Sequence, residues 1–313
     1  MENIKVSILC LCFNHEKYIR KCLDGFVMQE CDFEYEVLIH DDASTDSSVE
    51  IIREYEQKYP NIIKPVYQTE NQFSKGVKIS KTFLFPRVKG EYIALCEGDD
   101  FWTDPQKLKK QVEFLDNNPE YSACVHRAVV RYSKTGEEIK IPQISEGREF
   151  SLDEIIRAGG GIFATNSLMA RTKEYLTLPE CFEARGFGDY QRFMYAAICG
   201  KVWCMCDVMS QYNCENDGSW TATVWKNPER RIAHHKEMIR MLNAVNEHYE
   251  YKFNDSIEFK TKQTQFEIFV LTNDKKSMKS KEYRPFLKMH KRIKFVQFVF
   301  KTFPFVKRLL NRK

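Results

Sequence analysis

Apolar and polar positions alternate along the first hundred residues in blocks that predict strands and helices in turn. Ile4–Cys12 is an apolar run of strand length, and apolar residues in 18–27 recur at helical spacing. Residues 35–40 and 63–68 predict two more strands, and the polar turn at 42–48 precedes a helix over 49–59. Strands that alternate with helices predict the α/β class with a mainly parallel sheet.

The pattern continues with less regularity through the rest of the chain. We expect helices over 75–88, 105–118, 229–250 and 257–272, a helix that begins near Asp189, strands over 92–96, 121–132 and 162–171, and a loop or hairpin over 133–150. No internal repeat is present, and 43% hydrophobic residues in 313 suffice for one large core or two modest ones.

Two acidic segments directly follow predicted strands. Asp41 and Asp42 follow the second strand, and Asp99 and Asp100 follow the fourth. Ligands of parallel sheets bind at the carboxyl ends of strands, so both segments should line one crevice of nucleotide size. For Asp41 and Asp42 two interpretations stand: a turn with a helix cap, or carboxylates that accept from a uracil imide or meet ribose hydroxyls.

The segment Glu97-Gly98-Asp99-Asp100 concentrates negative charge beyond what a solvated acidic turn requires. Carboxylates this close repel one another, and paired hard oxygen ligands suit Mg²⁺ or Mn²⁺ bound to a diphosphate. We predict a metal at Asp99 and Asp100, with the role of Glu97 open. Trp102 is a candidate shelf for a donor sugar, and ordinary packing explains it equally well.

Three segments in order resemble the N-terminal half of family 2 glycosyltransferases with the GT-A fold, in particular non-processive bacterial enzymes of surface-polysaccharide biosynthesis. They are VSILCLCFNHEKYIRKCLDGFVMQ, YEVLIHDDASTDSSVEII and GEYIALCEGDDFWTDPQKL, within residues 4 to about 116. A weaker resemblance over 160–225 rests on GDYQRF and YNCENDGSW. It implies a Rossmann-like, mainly parallel central sheet flanked by helices, with a helical C-terminal extension.

The resemblance also suggests how the chain is divided. Residues 1–228 would form the GT-A domain, with a nucleotide-sugar and metal half at 1–116 and an acceptor half at 117–228. A helical extension at 229–274 and a basic amphipathic tail at 275–313 would follow. The glycine-rich Gly159-Gly160-Gly161 falls inside the acceptor half.

The resemblance implies that the protein transfers a sugar from a nucleotide-sugar donor with inversion and with the help of a metal. We expect the donor to be a UDP-sugar. The acceptor would be a hydroxyl of a glycan or of a polyprenyl-diphosphate-linked glycan. Asp99 and Asp100 match the family's D-x-D element, with Asp100 as direct metal ligand and Asp99 near the ribose or a metal-bound water. Asp189 in GDYQRF matches the general base, although a helix cap also explains it.

Two departures from the family pattern limit what is carried over. A Q-x-x-R-W motif is absent, which disfavours polymer synthesis. YNCENDGSW stands where relatives often carry a Tyr-Arg-x-His-like segment, so Asn213 and Glu215 put that phosphate or metal contact in doubt, although Asn216, Ser219 or Trp220 could close over the donor.

Charge is distributed unevenly. Residues 275–313 hold 14 Lys and Arg against one acid, a net charge of +13, so a total of +4 leaves −9 for residues 1–274. Because residues 285–313 interleave these cations with many apolar side chains, we expect them to bind an anionic membrane surface and not nucleic acid. A helix packed on the domain is the alternative.

Cysteine usage and the N-terminus suggest a location. Eleven cysteines, an odd number scattered through apolar runs, predict reduced thiols, and the first residues resemble neither an export signal nor a membrane span. We therefore expect a cytoplasmic protein, peripheral on the inner face of the membrane.

Two other functions remain at this point. A sugar nucleotidyltransferase needs a Gly-rich basic loop after the first strand, and CLCFNHEKY has no glycine there. A non-catalytic nucleotide-binding or glycan-binding subunit is the second alternative.

Overall fold

A computed structural model describes residues 4–184, 186–214, 224 and 226–302, with side chains described as far as residue 295. It divides into one unit of residues 1–182 and 186–223 and a second of 183–185 and 224–313. We describe each unit by itself. The functional division at residues 116, 228 and 274 stays a prediction.

The first unit is built on a ten-stranded mixed sheet, in the order β3-β2-β1-β4-β9-β6-β10-β5, with β7 beside β6 and β8 beside β10. Its strands are β1 Ile4–Cys12, β2 Glu34–Asp41, β3 Ile63–Tyr67, β4 Tyr92–Leu95, β5 Phe101–Trp102, β6 Tyr121–Tyr132, β7 Glu138–Ile141, β8 Arg148–Phe150, β9 Met169–Arg171 and β10 Lys201–Cys214. Strands β1 to β4 pair in parallel, as do β6 and β10, and β9 runs antiparallel between β4 and β6.

Helices cover the sheet of this unit. They are α1 Ile19–Val27, α2 Ser48–Lys58, α3 Lys107–Asn117, α4 Leu152–Ala158, α5 Thr172–Leu176 and α6 Gly188–Cys199. Strand β1 lies between β2 and β4 and is almost wholly buried, which explains its continuous apolar run. Its side chains pack with the apolar face of α1, on which Ile19, Cys22, Leu23 and Phe26 are buried. The predicted α/β class is therefore confirmed.

Two local predictions were wrong, and one strand was not predicted. Residues 75–88 are not one helix: a π-helical turn at Ser80–Leu84 and a 3₁₀ turn at Phe85–Arg87 follow irregular chain, and Pro86 lacks the N–H that a longer helix needs. In 162–171 only Met169–Arg171 is strand. We did not predict β10, whose irregular alternation reflects register shifts against β6.

The second unit is helical in its described part. Helices α7 Pro228–His248, α8 Asn254–Leu271, α9 Lys275–Lys279 and α10 Arg284–Thr302 follow one another. Asn227 caps α7 by accepting from the backbone N–H groups of Glu229 and Arg230. Among the described residues, no helix combines the length and the apolar character that a membrane crossing requires.

Candidate active site

The end of β2 is a tightly bonded turn. The two carboxylate oxygens of Asp41 accept from the backbone N–H of Ser44 at 3.0 Å and from its hydroxyl at 2.5 Å. Ala43 has a φ of +63°, a left-handed conformation that non-glycine residues rarely adopt. The cost of that conformation is offset by the bonds to Asp41, which is fully buried.

Asp42 holds the segment that follows β3. Its Oδ1 accepts from the backbone N–H of Gln72 at 2.8 Å and its Oδ2 from that of Phe73 at 3.0 Å. The amide of Asn71 donates to the Asp42 carbonyl at 3.3 Å. Both oxygens of this carboxylate therefore have backbone donors, and the residue fixes the wall of the crevice beside β2.

The end of β4 turns sharply into the acidic segment. The backbone N–H of Gly98 donates to the Leu11 carbonyl at 2.9 Å, and that of Asp100 donates to the Glu97 carbonyl at 3.0 Å. A Cβ at Gly98 would lie 2.8 Å from Nδ1 of His15, so this close approach requires glycine. The turn thus brings Asp99 and Asp100 beside the end of β1, on the rim that Asp41 also occupies.

Asp100 is buried at 2% exposure, and strand β10 supplies its hydrogen bonds. The backbone N–H of Asn213 donates to Oδ1 of Asp100 at 2.7 Å, and the Asn213 side-chain amide donates to the Asp99 carbonyl at 2.6 Å. Asn166 also hydrogen-bonds the Asp100 carboxylate. These contacts orient Asp100 and leave lone pairs of its carboxylate for a further ligand.

The acidic segment carries strong electrostatic repulsion. Burial, with the charges of Asp99 and Glu97, raises the pKa of Asp100 well above its ordinary value. Partial desolvation, with the charges of Asp99 and Asp189, raises the pKa of Glu97 to about 7 even though the residue is exposed. Such crowding stabilises the protonated acids and equally favours a bound cation.

These residues fit a divalent cation that shares its ligands with a substrate. Among the described residues, His, Cys, Asp and Glu side chains nowhere gather in threes, as a metal site made of protein alone would require. Mg²⁺ in particular is commonly held by one or two carboxylates together with substrate phosphates and water. Asp99 and Asp100 supply hard oxygen ligands of that kind.

Trp102 lies beneath the site and not in the crevice. It is 2% exposed, its indole N–H donates to the Asn166 carbonyl at 3.0 Å, and its ring packs edge-on against Phe26. The Lys107 ammonium lies 3.9 Å from the ring centroid. In this structure the indole packs in the core, as the packing interpretation of Trp102 expects.

Asp189 lies at the first turn of α6, where the helix dipole favours a carboxylate. Its oxygens accept from the Tyr190 backbone N–H at 2.7 Å and from the Thr165 hydroxyl at 3.4 Å. A Cβ at Gly160 would be 3.5 Å from Oδ1, so the glycine-rich segment lies directly against the carboxylate. Desolvation raises the pKa of Asp189 above its ordinary value despite these bonds.

Tyr212 lies within electrostatic range of four carboxylates of the site. Burial raises the pKa of its phenol strongly, and the charges of Asp100, Glu97, Asp189 and Asp99 raise it further. The residue is on β10, which pairs with β5 through Ser210 and Gln211. We missed Tyr212 in the sequence because β10 was not predicted; the adjacent Asn213 was noted only as a departure from the family pattern.

Part of the predicted site lies outside the described residues. Asn216, Ser219 and Trp220, which the sequence suggested as residues that close over the donor, belong to this part, and so does Glu215, which departs from the family pattern. All eleven cysteines are free thiols, as the sequence predicted.

Comparison with known proteins gives a family match over more than half of the chain. The profile described as Glycosyl transferase family 2 matches residues 7–176. An uncharacterized protein of Mycobacterium tuberculosis is 36% identical over 216 residues, which are 69% of this chain and 60% of that protein. The chain thus aligns with about three fifths of this curated relative.

Two solved structures have a similar fold. Staphylococcus aureus TarS 1-349 in complex with UDP-GlcNAc gives a TM-score of 0.56 at 16% identity and covers 86% of this chain and 81% of its own. The mannosyltransferase PcManGT from Pyrobaculum calidifontis, in complex with GDP-Man and Mn²⁺, gives 0.53 at 16% identity and covers 91% and 83%. At such identities the similarity concerns the fold, which agrees with the GT-A expectation.

Proposed function

Because this chain belongs to glycosyl transferase family 2, we propose that it transfers a sugar from a nucleotide-sugar donor to a hydroxyl of a glycan acceptor, with inversion. The observation that carries the proposal is that Asp99, Asp100 and Asp189 all lie within electrostatic range of Tyr212 on β10. Two of these carboxylates follow a parallel strand and the third begins a helix across the crevice, so donor and acceptor can be held on opposite sides.

The donor binds along the rim from β2 to β4. Asp41 and the turn that it stabilises form the base and ribose end of the crevice, and Asp42 fixes its wall through Gln72 and Phe73. A UDP-linked sugar is our choice of donor, supported by the likeness in fold to a protein that binds UDP-GlcNAc.

Asp99 and Asp100 would hold Mn²⁺ or Mg²⁺ at the diphosphate end of the crevice. A divalent cation at these carboxylates would neutralise the charge that develops on the departing diphosphate. Asn213 fixes both residues, through one bond to the Asp100 carboxylate and one to the Asp99 backbone. This fixed geometry means that little rearrangement is needed as the sugar bond breaks.

Asp189 is the general base for the acceptor hydroxyl. Desolvation raises its pKa above the ordinary value, which makes it a stronger base than a solvated aspartate. Thr165 and the Tyr190 backbone N–H orient the carboxylate. The acceptor oxygen loses its proton to Asp189 while it attacks the sugar carbon from the face opposite the diphosphate, which inverts that centre.

The acceptor is a polyprenyl-diphosphate-linked glycan, and residues 285–313 hold the enzyme on the cytoplasmic face of an anionic membrane. Phe286 is buried against Phe259 and Phe266 of α8 and anchors the start of α10, whereas Ile293 and Phe295 are 48% and 66% exposed. Apolar side chains exposed among cations suit a lipid surface. The predicted segment beyond residue 302 lies outside the described residues.

A donor screen tests the transferase proposal. Purified protein with Mn²⁺ is incubated with a panel of UDP-, GDP- and dTDP-sugars, and release of the nucleoside diphosphate is measured with and without chelator. We expect turnover of a UDP-sugar that the chelator abolishes. Formation of a nucleoside triphosphate and a sugar 1-phosphate when pyrophosphate is added to a nucleotide sugar would instead indicate a nucleotidyltransferase, and binding without any turnover would indicate a non-catalytic subunit.

A vesicle assay tests the membrane proposal separately. The double variant Ile293→Glu and Phe295→Glu should bind phosphatidylglycerol vesicles at least about tenfold more weakly in sedimentation, because charged side chains enter lipid poorly. Lys252→Glu, at an exposed position of the same unit, changes the net charge equally and is the matched control. Equal losses in both variants would mean that overall charge alone governs binding.

A further inference from the structure

The first unit has an open cavity of about 580 Å³ that shares no residue with the acidic crevice. Helix α3, the loop before β8 and the early part of β10 form its lining, and Phe114 and Trp203 are its aromatic members. Along β10, the stretch from Trp203–Asp207 to Asn213 is six to ten residues, which corresponds to roughly 20 to 30 Å of strand. A ligand in this cavity therefore does not overlap a donor at Asp100.

The aromatic side of the cavity is rigid. Trp203 stacks on Phe114 with ring centroids 5.4 Å apart at 20°, and Tyr121 packs edge-on against both. A Cβ at Gly147 would lie 3.1 Å from the indole, so the loop before β8 fixes the ring from another side. The indole is half-buried and is held by ring contacts, which lowers the entropic cost of binding a ligand against it.

The polar side of the cavity disfavours anions. The Lys110 ammonium bonds to Asp207 and Asp104 at 2.9 Å each, and these bonds raise its pKa, so its charge is already compensated. Glu113 and Asp207 add carboxylates to the lining. Phosphate groups would meet net negative charge there, whereas neutral hydroxyl groups can donate to the carboxylates.

Asn117 completes the set of polar partners. It is exposed on α3, and its amide N–H donates to the Glu113 carbonyl at 2.8 Å, which directs its amide oxygen toward donors from elsewhere. A rigid aromatic surface, carboxylates and a carboxamide match a sugar, whose C–H groups can pack on the ring while its hydroxyls bond at the rim.

We propose that this cavity is a second carbohydrate-binding site, which holds one or two neutral sugar residues of a glycan away from the acidic crevice. The proposal does not depend on transfer activity, because binding can be measured without donor or metal. Within the proposed reaction, the site would retain a glycan chain on the enzyme.

Binding of neutral oligosaccharides to the full chain tests the site. Cellotetraose and chitotetraose are titrated in the absence of nucleotide and metal, with saturation-transfer NMR and tryptophan fluorescence as readouts. We expect one of them to bind at millimolar concentration or below. Asn117→Ala should weaken binding about threefold to tenfold, as loss of one hydrogen bond does, and Trp203→Leu should weaken it further.

Controls keep the result interpretable. Asn61→Ala, an exposed asparagine just before β3 at the opposite edge of the sheet, should leave binding unchanged, and so should Asp100→Asn, which alters only the acidic crevice. Asn117→Ala decides the outcome if Trp203→Leu unfolds. Absence of binding by both oligosaccharides, binding insensitive to Asn117→Ala, or preferential binding of a heptalysine peptide would each overturn the proposal.

Discussion

Two pairs of adjacent aspartates follow parallel strands on the same rim, yet their surroundings differ. At the end of β2, the carboxylates of Asp41 and Asp42 accept bonds from Ser44, Gln72 and Phe73. At the end of β4, burial raises the pKa of Asp100, and the charges of Asp99 and Glu97 raise it further. Asp41 and Asp42 stabilise loops, whereas Asp99 and Asp100 repel each other, and a bound cation would reduce this repulsion.

This difference teaches that an acidic pair after a strand does not define a role by its sequence alone. The donors that surround each carboxylate decide whether it is structural or ready to bind. Asp42 accepts a hydrogen bond from Gln72, 30 residues further along the chain. Asp100 accepts one from Asn213, 113 residues further along, yet its pKa stays raised. Substitution of Asp100 should therefore lower activity and not stability, whereas substitution of Asp42 should mainly lower stability.

Asp189→Asn should have the largest effect, because a neutral amide then replaces the proposed base. We expect sugar transfer to fall about a hundredfold to ten-thousandfold, with affinity for the nucleotide and metal unchanged. Initial rates and calorimetric donor binding measure the two quantities. Unchanged transfer would exclude Asp189 as the base.

Asp100→Asn should lower transfer about a hundredfold to a thousandfold, because one electrostatic contact to the leaving group is lost. The free energy of unfolding should change little, since the relief of like-charge repulsion at a buried acid offsets the loss of the Asn166 bond, and the amide oxygen can still accept from Asn213. Chemical denaturation and steady-state rates test this pair of expectations. A loss of stability without loss of activity would reverse the comparison.

Asp42→Asn should act mainly on stability. Its amide nitrogen would face one of the two N–H donors at Gln72 and Phe73, so one donor loses its partner. We expect a loss of about 1 to 3 kcal/mol in the free energy of unfolding. Ser74→Ala, in the same loop but outside the Asp42 bonds, is a suitable control for general loop effects; equal destabilisation of both would remove the special role of Asp42.

The pH dependence of transfer should reflect the raised pKa of Asp189. The ionised form is the base, so kcat/KM should fall about tenfold per pH unit as pH drops below this pKa. The decline should begin above the ordinary range of aspartate. The residual activity of Asp189→Asn should lack this acidic limb, and retention of the same limb would assign it to another group.

Lys107 should produce a smaller effect on stability. Burial lowers its pKa to about 7, so between about pH 7 and 10 the unfolded chain binds a proton that the folded chain releases. The free energy of unfolding should therefore gain from this residue as pH rises through that window, and the gain should vanish in Lys107→Met. Chemical denaturation at several pH values measures the free energy of unfolding of the unaltered protein and of Lys107→Met. The same dependence on pH in both proteins would contradict this expectation.

Much of the fold follows from sequence periodicity, and part of the site does not. Strands β1 to β4 are apolar runs between turn signals, so their positions along the chain could be predicted. The shared rim with Asp41, Asp42, Asp99 and Asp100 followed from their parallel arrangement. Strand β10 has no clean alternation because its register shifts against β6, and its contributions through Tyr212 and Asn213 were therefore missed.

Trp102 illustrates a second limit. An aromatic residue beside an acidic motif fits a ligand contact and a core position equally well in sequence. Its burial is decided by partners far along the chain: Phe26, Lys107 and the Asn166 carbonyl. Gly25 also allows α1 to approach Trp102 closely, because a Cβ at this position would lie only 3.0 Å from the backbone nitrogen and oxygen of Trp102.

The most direct test of the central claim is a calorimetric titration of Mn²⁺ into the protein with and without UDP. The account predicts Mn²⁺ binding that is strong only with UDP, that is lost in Asp100→Asn and that is retained in Asp42→Asn under conditions where that variant is folded. Equal UDP-dependent Mn²⁺ binding by Asp100→Asn and the unaltered protein would contradict the account.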